Sequence, residues 1–141
     1  LKQIPLQRIA YNAIPSVVYT NPEIACVGLT EKDLCEIHEG DFAPSMSTDE
    51  PFVPYEVHQL PMTYSGRFVA ENEGEMGLCK VIVDKRSKAI MGVHMIGNPC
   101  SEFVAAASFA VRMGYTVAEF KQVVFPHPTV AEVLRETIAE L

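Results

Sequence analysis

Near the end of the chain, Phe125-Pro126-His127-Pro128-Thr129-Val130-Ala131-Glu132 sets an imidazole between two prolines, with a carboxylate shortly after it. Such a pair suits acid/base work, because the carboxylate selects the ring nitrogen that carries the proton and leaves the other to take or give one. The flanking pyrrolidine rings restrict the backbone, and an X-Pro bond is the one peptide bond for which cis is a realistic option. Restriction of this kind aims a ring rather than merely tethering it. Thr129 is also a good helix cap, and Glu132 completes a capping box that satisfies amides otherwise unpartnered at a helix start. The same pattern recurs at Thr116-Val117-Ala118-Glu119 with no histidine beside it. Spacing alone therefore leaves Glu132 open as helix cap or histidine partner, and His127 as solvated side chain or base.

The elements that must position this segment are legible in outline. Ser16 to Tyr19 and Glu23 to Gly28 read as two strands separated by the Asn21-Pro22 turn. Thr30 caps a helix over Glu31 to Glu39, which Gly40 ends, and three prolines make Asp41 to Pro54 a long surface loop. Tyr55 to Met62 alternates loosely, and Phe68 to Asn72 adds a short strand. Gly77 to Asp84 and Ala89 to Ile96 form an antiparallel hairpin about the polar Asp84 to Lys88 turn, with His94 a packed or edge residue of its second strand. Ser101 to Met113 is an apolar helix stopped by Gly114, whose Ala105, Ala106 and Ala107 suit either a deep core or a subunit contact. Thr116 to Val123 and Thr129 to Glu140 complete a helical C-terminal half. Strands and one helix, then a hairpin, then three helices make an α+β fold, an antiparallel sheet with helices packed on it.

Composition narrows the function classes. The 141 residues are 48% hydrophobic and 21% charged, the make-up of one domain with a real core. The net charge of -7 argues against a nucleic-acid partner, and Lys85-Arg86-Ser87-Lys88 reads as a solvated turn. No apolar run approaches the roughly 20 residues that span a bilayer, so a soluble, cytoplasmic protein is expected. Opening on Leu1, the sequence reads as a piece of something longer. The cysteines, Cys26, Cys35, Cys79 and Cys100, show no CxxC spacing and are expected to be buried free thiols. His38, His58, His94 and His127 lack the paired spacing of ligands, so no metal site is expected. The glycines supply neither GxGxxG nor a Walker-type loop, so a redox cofactor would be held mainly elsewhere.

Two separated stretches, Tyr19-Thr20-Asn21-Pro22-Glu23-Ile24-Ala25-Cys26-Val27-Gly28-Leu29-Thr30-Glu31 and Pro126-His127-Pro128-Thr129-Val130-Ala131-Glu132, together resemble the C-terminal dimerisation domain of the flavin-dependent pyridine nucleotide-disulfide oxidoreductases. Tyr11 to Thr20 and Gly92-Val93-His94-Met95-Ile96-Gly97 look most like the dihydrolipoyl dehydrogenases of that family. The resemblance covers nearly the whole chain, as a single domain over residues 1–141. It departs at the Asp41 to Pro54 loop and at Phe125, where those enzymes often carry a further histidine. It implies a homodimer in which His127 reaches a disulfide beside the partner subunit's flavin, Glu132 orients it, and electrons pass from a dihydrolipoyl thiol through FAD to NAD. The FAD and NAD domains, and the CxxxxC redox pair, are absent from this sequence, so the fragment alone should be inactive and bind neither cofactor. The implied partner is the lipoyl group of a 2-oxoacid dehydrogenase or glycine cleavage carrier protein, and the implied dimer surface is the Ser101 to Met113 helix with its neighbouring sheet. The alternatives are a glutathione- or trypanothione-type reductase domain and a non-catalytic oligomerisation module.

Overall fold

The computed structural model describes residues 9–38 and 54–141. Five strands form one antiparallel sheet: β1 (Ser16–Val18), β2 (Ile24–Gly28), β3 (Tyr55–Pro61), β4 (Leu78–Asp84) and β5 (Ile90–Ile96), in the order β1-β2-β5-β4-β3. The β4–β5 hairpin forms where its β-branched runs place it. Its turn is held by the Asp84 carboxylate, which accepts the amides of Arg86 and Ser87. The loop expected over Asp41 to Pro54 lies outside the described residues apart from Pro54, as does the end of the first helix.

Alternation sorts the sheet into two faces. Ala25, Val27, Cys79, Val81, Val93 and Met95 are buried on one, aligned by register as Ala25 with Met95, Val27 with Val93, and both Val93 with Val81 and Met95 with Cys79. Two helices cover that face. The first, α3 (Cys100–Met113), buries Cys100, Phe103, Val104, Ala107, Ala110 and Val111 at helical spacing, packing on β2 and β5. The second, α5 (Glu132–Ala139), buries Val133, Leu134, Thr137 and Ile138, packing on β3 and β4. On the opposite face Ile82 is fully buried, and Glu31 of α1 (Glu31–His38) pairs with Lys80.

Three expectations need correction. Residues 68–72 are not a strand: Gly66–Glu71 is a short helix, α2. The Ser65 hydroxyl caps it by accepting the Phe68 amide (3.2 Å), Arg67 pairs with Glu71 one turn on, and Phe68 is fully buried while Val69 stays exposed. A cap, an i,i+4 ion pair and one core anchor outweigh the weak strand propensity of Phe-Val. The helix expected over Thr116 to Val123 is only α4 (Val117–Phe120), after which the chain turns through Lys121 and Gln122 toward Pro126. Of the four cysteines, only Cys79 and Cys100 are buried. Cys26 is half-buried and Cys35 exposed, because β2 and α1 turn those positions away from the main core.

Candidate functional site

The 121–131 segment joins α4 to α5 and carries His127. Its entry is fixed by Phe125, whose ring packs on that of Phe120 (5.9 Å between centroids), and its exit by Val130, which is buried. The departure at Phe125 thus has a packing role. Between them the His127–Pro128 peptide is cis.

The capping box expected at Thr129 and Glu132 forms only in half. At Thr30/Asp33 and Thr116/Glu119 each threonine hydroxyl accepts the amide three residues on while the carboxylate accepts the threonine amide. Here Glu132 Oε2 accepts the Thr129 amide (2.8 Å), but the Thr129 hydroxyl turns back to donate to the Pro126 carbonyl (2.8 Å). The amides of Val133 and Leu134 bond to Val130 and Ala131 three residues back, so the helix proper begins at Glu132 and not after Thr129.

That arrangement leaves Glu132 Oε1 to meet His127 Nδ1 at 2.8 Å. The two open readings of Glu132 are therefore both realised, one oxygen serving each. An ionised carboxylate only accepts, so in the neutral form of the ring Nδ1 carries the proton and Nε2 presents a lone pair. The histidine side chain is 82% exposed and that of Glu132 only 24%, so the ring stands out from the surface on a carboxylate seated in it. The Thr129 amide, followed by the His127 ring and the charge of Arg135, holds the Glu132 carboxyl below the usual value of 4.5 against the opposing effect of partial burial.

The other candidates fall away from this site. His94 lies in the central strand β5, packed rather than at an edge, and its Nε2 meets the Leu29 carbonyl at 3.0 Å. Burial pushes the Cys79 thiol up to about 12 and the Cys100 thiol up to about 11, so neither supplies a thiolate near neutrality. Among the described residues no three His, Cys, Asp or Glu side chains gather as a metal site. The N-terminus of α3 is closed by Glu23, whose Oε2 accepts the Ser101 amide (2.9 Å). What the His127–Glu132 arrangement can do chemically is hold and move a proton. Sequence reasoning passed over Ser65, a buried hydroxyl that bonds to the Thr129 carbonyl; the signal was a serine three residues before Phe68 at the head of α2.

Comparison with known proteins extends these observations. A family model described as "Pyridine nucleotide-disulphide oxidoreductase, dimerisation domain" matches residues 14–138. The chain is 37% identical over 128 residues to the mitochondrial dihydrolipoyl dehydrogenase of Caenorhabditis elegans, covering 91% of this chain and 23% of that protein. To the dihydrolipoyl dehydrogenase of Haloferax volcanii it is 34% identical over 124 residues, covering 88% and 23%. The chain thus spans about a quarter of the length of the relatives it matches. Among solved structures, LpdA of Mycobacterium tuberculosis superposes with a TM-score of 0.75 at 19% identity, over 96% of this chain and 26% of that one. The HOCl-induced flavoprotein disulfide reductase RclA of Escherichia coli gives 0.71 at 21% identity, over 89% and 26%. At that identity the two structures speak to the fold.

Proposed function

Since this chain belongs to the pyridine nucleotide-disulphide oxidoreductases, as their dimerisation domain, we propose that it is the interface domain of a dihydrolipoyl dehydrogenase and lends the His127–Glu132 pair to the disulfide site of a second copy. The observation that carries this reading is the 2.8 Å bond from His127 Nδ1 to Glu132, on an imidazole otherwise open to whatever lies outside the chain.

The chain's part in the reaction follows from that geometry. A thiol is a poor nucleophile until it loses its proton, and Nε2 is placed to take it from one sulfur of a dihydrolipoyl group. The resulting thiolate attacks a sulfur of the enzyme disulfide, the S–S bond breaks, and the displaced cysteine leaves as a thiolate. The dihydrolipoyl group's second sulfur then attacks the mixed disulfide, its proton passing to the cysteine sulfur that departs as the substrate–enzyme S–S bond breaks, so the substrate closes to a cyclic disulfide while the enzyme pair, now a thiol and a thiolate, is reduced by two electrons. Neither redox cysteine lies in this sequence. Glu132, its carboxyl held below the usual range, stays ionised throughout and keeps its bond to Nδ1. FAD and NAD, held outside this chain, would accept the electrons.

In the full-length protein carrying this chain, His127→Gln is expected to lower turnover of dihydrolipoamide by at least about 10² while FAD remains bound, the lower end of what a general base contributes. Stopped turnover with an intact dimer separates this reading from a module that only oligomerises. Near-normal turnover would remove His127 from the mechanism.

A further inference from the structure

We infer that Ser65 is a positioning residue for the His127–Glu132 pair, an inference that rests on the functional reading of that pair. Every polar atom of Thr129 is engaged: its amide donates to Glu132 Oε2 (2.8 Å), its hydroxyl donates to the Pro126 carbonyl (2.8 Å), and its carbonyl accepts from Ser65 Oγ (2.9 Å). The first two bonds are internal to the loop. Among the described residues, the third is the one hydrogen bond that reaches residues 126–132 from a distant part of the chain. Without it the loop could shift on its two apolar ends and carry the carboxylate with it.

Ser65 is itself immobilised. It is buried, at 4% exposure, and its oxygen accepts the Phe68 amide (3.2 Å) while its proton goes to Thr129. Phe68 is fully buried in the main core, so Ser65 transmits the position of that core to the backbone of Thr129, and Thr129 transmits it to Glu132. A hydroxyl suits this task because it accepts and donates at once, and the part-buried Thr129 carbonyl would otherwise lose this partner. Nothing in the sequence separation of 64 residues advertised the link.

The test uses the full-length flavoprotein and four variants. Ser65→Ala removes the hydroxyl, and Ser65→Cys keeps nearly the same volume with a much weaker donor, so it serves if the alanine variant fails to fold. Thr30→Ala removes the capping hydroxyl of α1, a helix on the opposite face of the sheet with no bond to the dyad, and controls for loss of a cap. His127→Gln removes the base. The Ser65 variants are expected to lower kcat by about 10- to 100-fold, the cost of a sub-ångström to ångström misplacement, with little change in KM for dihydrolipoamide and with a displaced pH–kcat profile. Thr30→Ala should lose thermal stability while keeping the wild-type kcat and profile. If the Ser65 variants behave like Thr30→Ala while His127→Gln is inactive, Ser65 has no positioning role and the inference alone falls. If His127→Gln keeps full turnover, the reading of the dyad falls and takes the inference with it.

Discussion

Glu132 does two jobs with one carboxylate, and its protonation should undo both. Its pKa is depressed in the folded chain, chiefly by the Thr129 amide and then by His127. A carboxyl with a depressed folded pKa binds more protons when unfolded, so its contribution to stability is present above the ordinary value of 4.5 and is lost as pH falls through the lower folded value. Denaturation midpoints of the wild type and Glu132→Gln, measured as pH is lowered from neutrality, should therefore differ most above 4.5 and converge below it. Asp33, Asp84 and Glu119 are depressed as well by their own amide and hydroxyl partners, but they titrate in both proteins and cancel from the comparison. A gap independent of pH would show that Glu132 does not titrate in the way its bonds require.

Elements were readable where one local signal dominated. The runs Val81-Ile82-Val83 and Ile90-Met91-Gly92-Val93 on either side of a polar turn left little alternative to a hairpin, and Gly114, at φ +66°, ends α3 as its place in the sequence suggests. Two signals in conflict produced the errors: Phe68 and Val69 favour a strand, whereas Ser65, Arg67 and Glu71 favour a helix, and only the burial of Phe68 decides between them. The site was half legible. Spacing brought His127 and Glu132 together, but it could not tell that the Thr129 hydroxyl would abandon the box for Pro126, or that Ser65 would arrive from a helix read as a strand. A close approach was equally hidden. Gly28 and Gly92 face each other across β2 and β5, and a β-carbon added at Gly92 would lie 2.1 Å from the Leu29 carbonyl oxygen. Gly92→Ala must push backbone against backbone, so it is expected to cost about 1–3 kcal/mol in chemical denaturation, and an unchanged midpoint would mean that the strands separate freely there.

Association draws on what the core leaves over. On α3, Phe109 and Met113 are 58% and 56% exposed while Phe103, Val104, Ala107, Ala110 and Val111 face the core, and Phe109 meets Tyr115 edge-on at 6.1 Å. An exposed aromatic next to the small side chain of Ala105 is the kind of surface that a second copy covers. Phe109→Glu in the full-length protein is expected to weaken the dimer at least about tenfold by sedimentation equilibrium, since a buried aromatic anchor commonly accounts for more than 1 kcal/mol of binding. An unaltered association constant would place the dimer contact on another face. The histidine and its carboxylate come from a single stretch of backbone, braced from within the same subunit. Under the proposed function each copy would thus arrive with its proton acceptor already assembled, and pairing would have only to deliver that tool to a sulfur.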